Sequence, residues 1–284
     1  MKIVISYIGI GFLSLFANSL TSQTTLDYKN RIHSEISDEF MVVSQNHHAT
    51  KVGYEILEQG GNAVDAAVAM GFALAVTLPR AGNLGGGGFM LIYDAKTNKI
   101  STIDYRSAAP KSATSQMYLT DTGVVRFGHL VNAVPGTVAG LIKAHKEHGL
   151  LKLSQIMKPS IKLAQKGIEV SHDLNFVLNF GKQSMLENPV SKAKFYDGED
   201  PLKINSLFKQ PKLAKTLKLI SNKGGEVFYK GQIAKWISED SLKNGGLITM
   251  ADLAAYEAKE RLPIETTYRG YKVVSMPPAA SGGL

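Results

Sequence analysis

Residues 60–110 limit what this chain can fold into more than any other stretch. Gly60-Gly61-Asn62-Ala63-Val64-Asp65-Ala66-Ala67 opens it. Ala81-Gly82-Asn83-Leu84-Gly85-Gly86-Gly87-Gly88-Phe89-Met90-Leu91 occupies its middle, and Asp104-Tyr105-Arg106-Ser107-Ala108-Ala109-Pro110 closes it. Asn62 can cap a helix, with Asp65 three residues on as a variant of the capping box. From 63 to 76 almost every residue is apolar and many are alanine. A helix apolar all round must be buried on all sides, and alanine lets its neighbours come close. Residues 89–93 are a continuous apolar run suited to a central strand, 94–99 a turn, and 100–105 the returning strand of a hairpin. Arg106 lies where that strand ends. The unit places a fixed cation where main chain packs very closely, which points to a site for a small anionic ligand.

The glycine tract at 85–88 invites a phosphate-loop reading, but a phosphate loop needs Lys-Ser or Lys-Thr after the last glycine, and Phe89-Met90 follows here. The dinucleotide fingerprint runs strand, glycines, helix; this chain runs helix, glycines, strand. Tight packing of main chain against a neighbouring element is the plainer reading. Arg106 is the strongest single candidate for a binding residue, because a planar guanidinium takes a carboxylate through two parallel hydrogen bonds. From the residues alone, a structural ion pair with Asp104 or another acid stands equally beside that reading.

Elsewhere, 41–43 reads as a short strand and 48–59 as a helix ended by Gly60. Residues 138–145 read as a helix, and 153–165 as another interrupted or kinked at Pro159. Residues 111–132 are mixed, 171–231 contain amphipathic helical pieces, and 231–238 reads as a further helix. Thr249 with Asp252 repeats the capping-box signal, and 269–276 reads as a strand. One α/β domain with no internal repeat and no clear linker fits this order.

Composition closes off several function classes. The chain has no cysteine, so disulfides, thiolate metal sites and cysteine nucleophiles are excluded within it. The formal net charge is +8 over 284 residues, but lysine and arginine are spread thinly and mixed with acids rather than clustered with aromatics, so no nucleic-acid partner is expected. Lys2 precedes an uncharged, mostly apolar run at 3–17, and Ala17-Asn18-Ser19 supplies small residues at a cleavage site. That is the three-part pattern of a secretory signal peptide over 1–19, and fifteen residues are short of the roughly 20 that span a bilayer. A polar arm follows over 20–40. Ser-x-x-Lys at Ser191/Lys194 and Ser206/Lys209 lacks the Ser-Asp-Asn and Lys-Thr-Gly partners that would give it chemistry. His47 and His48 would diverge by about 100° in a helix, so they are not expected to share a metal.

Taken in order, the three motifs of 60–110 resemble the gamma-glutamyltransferase (glutathione hydrolase) family. Val134-Pro135-Gly136-Thr137-Val138-Ala139-Gly140, Asn244-Gly245-Gly246-Leu247-Ile248-Thr249 with Asp252-Leu253-Ala254-Ala255-Tyr256, and Met276-Pro277-Pro278 with Ser281-Gly282-Gly283 extend the likeness from about residue 41 onward. The resemblance implies an N-terminal nucleophile hydrolase with a layered αββα core, in the α/β (α+β) class. It implies a precursor that cuts itself into a large and a small subunit. The new N-terminal threonine attacks the gamma-glutamyl amide of glutathione, and water or an amine resolves the acyl-enzyme. Arg106 matches the family arginine that binds the alpha-carboxylate of the glutamyl group, positioning it for attack. The implied partners are glutathione, other gamma-glutamyl compounds and the C-terminal small subunit; no cofactor, no metal and no stable membrane span are implied, and the setting is periplasmic or secreted.

One departure is large. The family threonine lies downstream of the Pro-Pro-x-x-Ser-Gly-Gly motif, and this chain stops one residue after it. Thr24-Thr25 and Thr266-Thr267 do not fit the family's setting for that nucleophile. Residues 41–284 are therefore expected to be part of the large subunit, with no catalytic residue among them and no activity alone. A stand-alone periplasmic binding protein that keeps the Arg106 pocket is the alternative.

Overall fold

The core is built around the helix that the sequence makes apolar on every side. In the computed structural model, which describes residues 36–120, 123–125 and 127–281, α2 (Ala63–Thr77) lies among α1 (His47–Glu58), α3 (Thr137–His148) and α4 (Leu153–Lys166). Val68, Phe72 and Val76 of α2 are fully buried. Small residues set the approach distances: a Cβ on Gly53 of α1 would sit 2.6 Å from Met70 Sδ, and one on Gly71 of α2 would sit 2.9 Å from Leu141 of α3. The helix α4, expected to be interrupted or kinked at Pro159, runs through it without interruption, and the neighbouring Ser160 Oγ donates across to Ala69 O of α2.

The start of α2 is pinned twice. Asn62 Oδ1 accepts from Val64 N and Asp65 N, both at 2.9 Å, and Asp65 Oδ2 accepts from Asn62 N at 3.1 Å. This is the capping box read from the sequence. The fully buried Asp65 carboxylate also accepts from Leu150 N and Leu151 N in the connection between α3 and α4. Asn62 Nδ2 donates to His148 O at the end of α3. A buried carboxylate is tolerated here because main-chain donors surround it.

The hairpin β1 (Phe89–Asp94) and β2 (Lys99–Asp104) pairs in the register Phe89↔Asp104 to Asp94↔Lys99. Its turn is held by Asp94, which accepts from Lys96 N and the Thr97 hydroxyl. On its other side β2 pairs with the strand Lys259–Glu260, through Ile103↔Glu260 and Asp104↔Lys259. Thus β1, expected as a central strand, lies at the edge of this sheet. Met90 and Ile92 lean on the core, while Leu91 and Tyr93 are 39% and 58% exposed. An apolar run identifies a strand but not what covers its second face.

Beyond the hairpin, the main chain approaches itself at Tyr105. Gly88 N and O pair with Tyr105 O and N at 3.3 and 3.0 Å, and Gly86 O accepts from Gly136 N and Thr137 N at the start of α3. A Cβ on Gly136 would overlap Tyr105 O and Tyr256 Oη, and one on Gly140 would overlap the Tyr105 ring. Burial holds the Tyr105 phenol above its ordinary pKa.

Two further differences from the sequence expectations have simple causes. Residues 41–43 form no strand, and no described strand pairs with them. The expected strand at 269–276 is half of a hairpin, Ile264–Tyr268 against Tyr271–Ser275, and Arg269 and Gly270 are its turn with φ of 48° and 82°. Two successive left-handed residues are what a tight hairpin turn of right-twisted strands requires. A smaller apolar cluster, with Ile168, Val170, Leu174, Leu178, Tyr196 and Phe208, gathers the short helices of the 171–210 region. No helix among the described residues is long and apolar enough to cross a membrane. The signal peptide expected over 1–19 and most of the arm expected over 20–40 lie outside the described residues.

Asp65→Ala is expected to lower the unfolding free energy by about 3 kcal/mol in urea denaturation, since three main-chain donors lose a buried acceptor; a loss under about 1 kcal/mol would contradict that role. Gly136→Ala is expected to cost at least about 2 kcal/mol through overlap with main chain that cannot move aside. Gly225→Ala is the control: its backbone is right-handed helical at φ −68° and its nearest neighbour would be 3.8 Å away, so it should be neutral or slightly stabilising.

Candidate functional site

A cleft of about 630 Å³ opens where β2 ends. Its walls include Asp104, Arg106, Lys111, Asp252, Tyr256 and Arg261. Four chain segments meet there: the exit of β2, the approach to α3 at Val134, the segment 251–261 and the chain at Ala279.

The exit of β2 is held at each step. Asp104 Oδ1 accepts from Arg106 N at 3.0 Å, and Tyr256 Oη donates to Arg106 O at 2.8 Å. Ala108 and Val134 exchange two main-chain hydrogen bonds at 3.1 and 2.8 Å. Lys111 N donates to Asp252 Oδ1 at 2.8 Å. Gly87 lies against this segment so closely that a Cβ there would meet Ser107 N, and Tyr105 O at 2.7 Å. The glycine tract therefore makes room for the main chain on which Arg106 rides.

Asp104, the partner that the residues alone could have given Arg106, is engaged elsewhere. Its second oxygen accepts from Arg261 Nε at 3.1 Å. Arg261 is itself anchored by Thr102, whose hydroxyl donates to Arg261 O and accepts from Arg261 N. Among the described residues the Arg106 guanidinium has no ion-pair partner. It stands exposed at the cleft on a fixed main chain. A guanidinium offers a planar fork of donors that matches the geometry of a carboxylate.

The 249–261 segment is built to grip. Thr249 caps the helix Met250–Ala254, its hydroxyl accepting from Asp252 N while Asp252 Oδ2 accepts from Thr249 N. Burial pushes the Asp252 carboxyl up, but the Thr249 hydroxyl and the Lys111 and Thr249 amides outweigh it and hold the group below its ordinary range. The Tyr256 ring stacks on Tyr229 at 5.6 Å and 12°. Burial, followed by the nearby Asp104 and Tyr105, pushes the Tyr256 phenol up to about 12.

The other sequence candidates fall elsewhere. His47 and His48 have rings 3.9 Å apart rather than diverging, because His47 is the first residue of α1 and is not constrained as in a helix interior. No cluster of three or more metal-type ligands occurs among the described residues. Thr266 and Thr267 lie in the exposed strand Ile264–Tyr268. Tyr256 and Asp252 sit in a motif quoted from the sequence, but nothing local to that motif indicated that they reach Arg106 and Lys111. The Asp104–Arg261 pair spans 157 residues and carries no local signal at all.

Comparison with known proteins gives the family. A family model described as gamma-glutamyltranspeptidase matches residues 49–284. The glutathione hydrolase proenzyme of Escherichia coli (strain K12) is 48% identical over 250 residues, covering 86% of this chain and 43% of that protein. The proenzyme of Bacillus subtilis (strain 168) is 39% identical over 256 residues, covering 88% and 43%. The chain thus spans about two fifths of the length of these curated relatives. Among solved structures, Helicobacter pylori gamma-glutamyltranspeptidase superposes with a TM-score of 0.85 at 43% identity, over 88% of this chain and 73% of that one. Gamma-glutamyltranspeptidase from Pseudomonas nitroreducens complexed with L-DON gives 0.81 at 41% identity, over 87% and 74%. A mixed α+β fold shared with these proteins, together with a family match over most of its length, shows that this chain belongs to the gamma-glutamyltranspeptidase family, whose fold is that of the N-terminal nucleophile hydrolases.

Proposed function

We propose that this chain supplies the donor-recognition wall of an enzyme that moves gamma-glutamyl groups from glutathione and related compounds to water, amino acids or peptides. In this reading residues 41–284 are large-subunit sequence, and Arg106 holds the alpha-carboxylate of the glutamyl group. A threonine on a small subunit released by self-cleavage attacks the amide carbonyl, and the acyl group then passes to water or an amine. Residues 1–19 direct export and are removed, which places the protein in the periplasm or outside the cell.

The observation that carries this reading is the Arg106 guanidinium, without an ion-pair partner among the described residues, on a main chain fixed from both sides. A guanidinium bound to a structural acid would have to leave it before taking a ligand. Here Arg261 takes the second oxygen of Asp104, and the Arg106 guanidinium makes no ion pair among the described residues. Fixing the carboxylate end of a glutamyl group sets the far end, the amide carbonyl, at a defined distance from a nucleophile. The relatives described as glutathione hydrolase proenzymes support the substrate and the maturation step.

In the full-length precursor, Arg106→Ala is expected to reduce kcat/KM for glutathione and for a chromogenic gamma-glutamyl anilide by about a hundred- to ten-thousandfold. That follows from losing two charge-assisted hydrogen bonds of ~1.5–3 kcal/mol each, at about 1.36 kcal/mol per decade of rate. Arg106→Lys keeps the charge without the fork and should fall between. Self-cleavage into two subunits, read on a denaturing gel, should proceed in both variants. Wild-type kinetics in Arg106→Ala would sink the assignment.

A further inference from the structure

We infer that Tyr256 is a positioning residue for the donor site, acting through the Arg106 main chain. This rests on the reading of Arg106 given above.

The geometry is specific to the two peptide planes that flank the Arg106 Cα. The plane before it is held by the bond from Arg106 N to Asp104 Oδ1 at 3.0 Å, and the plane after it by the bond from Tyr256 Oη to Arg106 O at 2.8 Å. With both planes fixed, φ and ψ of Arg106 are fixed, and so is the direction in which its side chain leaves the backbone. The guanidinium itself makes no ion pair among the described residues, so its aim comes from the backbone. Asp104 is part of β2 and lies two residues away. Tyr256 lies 150 residues along the chain and is the long-range half of the clamp.

Tyr256 is held rigidly on the side away from the cleft. Its ring stacks on Tyr229, and Tyr229 Oη donates to Pro135 O at 2.9 Å while accepting from Ala139 N at 3.0 Å. Gly136 leaves the space that Tyr256 Oη occupies. Its backbone follows the capped helix Met250–Ala254, whose Asp252 grips Lys111 N. The same segment continues to Arg261, which takes the other oxygen of Asp104. One short stretch of chain thus contacts the Arg106 segment before, at and after the arginine. The phenol keeps its proton until about pH 12, so it remains a donor throughout the working range.

The test uses the full-length, self-cleaved protein and compares Tyr256→Phe, Arg106→Ala and the double variant. Tyr256→Phe removes one neutral hydrogen bond without changing the ring. It should lower kcat/KM for the gamma-glutamyl donor about three- to tenfold. The KM for an acceptor amine should not move, because the acceptor meets an acyl-enzyme already formed. The loss should be constant from about pH 6 to 9, and Tyr256→Phe should add nothing in the Arg106→Ala background. A general structural defect would instead move donor and acceptor parameters together. Normal donor kinetics in Tyr256→Phe, with Arg106→Ala impaired, would overturn this inference and leave the Arg106 reading standing. Losses that multiply in the double variant would also overturn it, since Tyr256 would then act elsewhere. Wild-type kinetics in Arg106→Ala would remove both. Should Tyr256→Phe not mature, a fluorinated tyrosine that ionises at lower pH keeps the shape. It should give a donor kcat/KM that falls with rising pH where the wild type is flat, and a flat profile would refute the role.

Discussion

The site depends on one steric fact: main chain passes within contact distance of main chain around Tyr105. The Tyr105 carbonyl and ring fill the volume where side chains at 88, 136 and 140 would project, and the peptide after it does the same for 87. A side chain can rotate away from an overlap; two hydrogen-bonded backbones cannot. This is why glycine recurs at separated places in the chain that meet in space. Gly86 O and the Gly88 amide and carbonyl are occupied by bonds to the start of α3 and to Tyr105, and the space beside Gly87 and Gly88 is filled by residues 105–107. From that contact the rest follows: β2 exits at a set angle, Arg106 leaves the sheet at a set point, and the segment 249–261 has a fixed surface to close on.

A weak interaction decides a chemical role here. The Asp104–Arg261 pair is partly exposed, with side-chain accessibilities of 12% and 43%, and pairs of that kind contribute at most about 1 kcal/mol to stability. Its importance lies in exclusion. Two arginines lie near one carboxylate, and the one 157 residues away, just past the strand Lys259–Glu260, is held to it by Thr102 and by Asp104 itself. The other keeps only a main-chain bond to that acid. A contribution too small to matter for folding accompanies an Arg106 guanidinium that makes no ion pair among the described residues.

Much of this was legible before any coordinates. The capping boxes at Asn62 and Thr249, the buried small-residue helix, the hairpin and the exposed end-of-strand arginine all carry short-range signals, because caps, periodicity and turns are set by neighbours a few residues apart. What was not legible depended on distant partners. The apolar run at 89–93 announces a strand, yet its position at the sheet edge depends on which strands join β2. Residues 41–43 have strand-forming side chains but no strand partner among the described residues. The hairpin turn at Arg269-Gly270 was hidden because an arginine in the left-handed region is not a composition signal. Within the site, Arg106 stood out, but the competition for Asp104 and the reach of Tyr256 could not be read from either local sequence. The likeness to a family drew Arg106 out of an even choice; the geometry supplies a physical reason for it.

The buried carboxylate of Asp65 has a consequence for how the chain reaches this state. Its bond to Asn62 N closes within one turn, while its bonds to Leu150 N and Leu151 N close a loop of 85 and 86 residues. Until that loop closes, the carboxylate sits at the head of the most apolar helix with only part of its donors, and burying it is unfavourable. Helix burial and loop closure are therefore one event rather than two, since neither is stable without the other. The end of α3 and the start of α4 should open together with the head of α2, as a single cooperative unit that spans the sequence between them, including the hairpin that carries the arginine. One carboxylate thereby ties the order of the donor site to the integrity of the core.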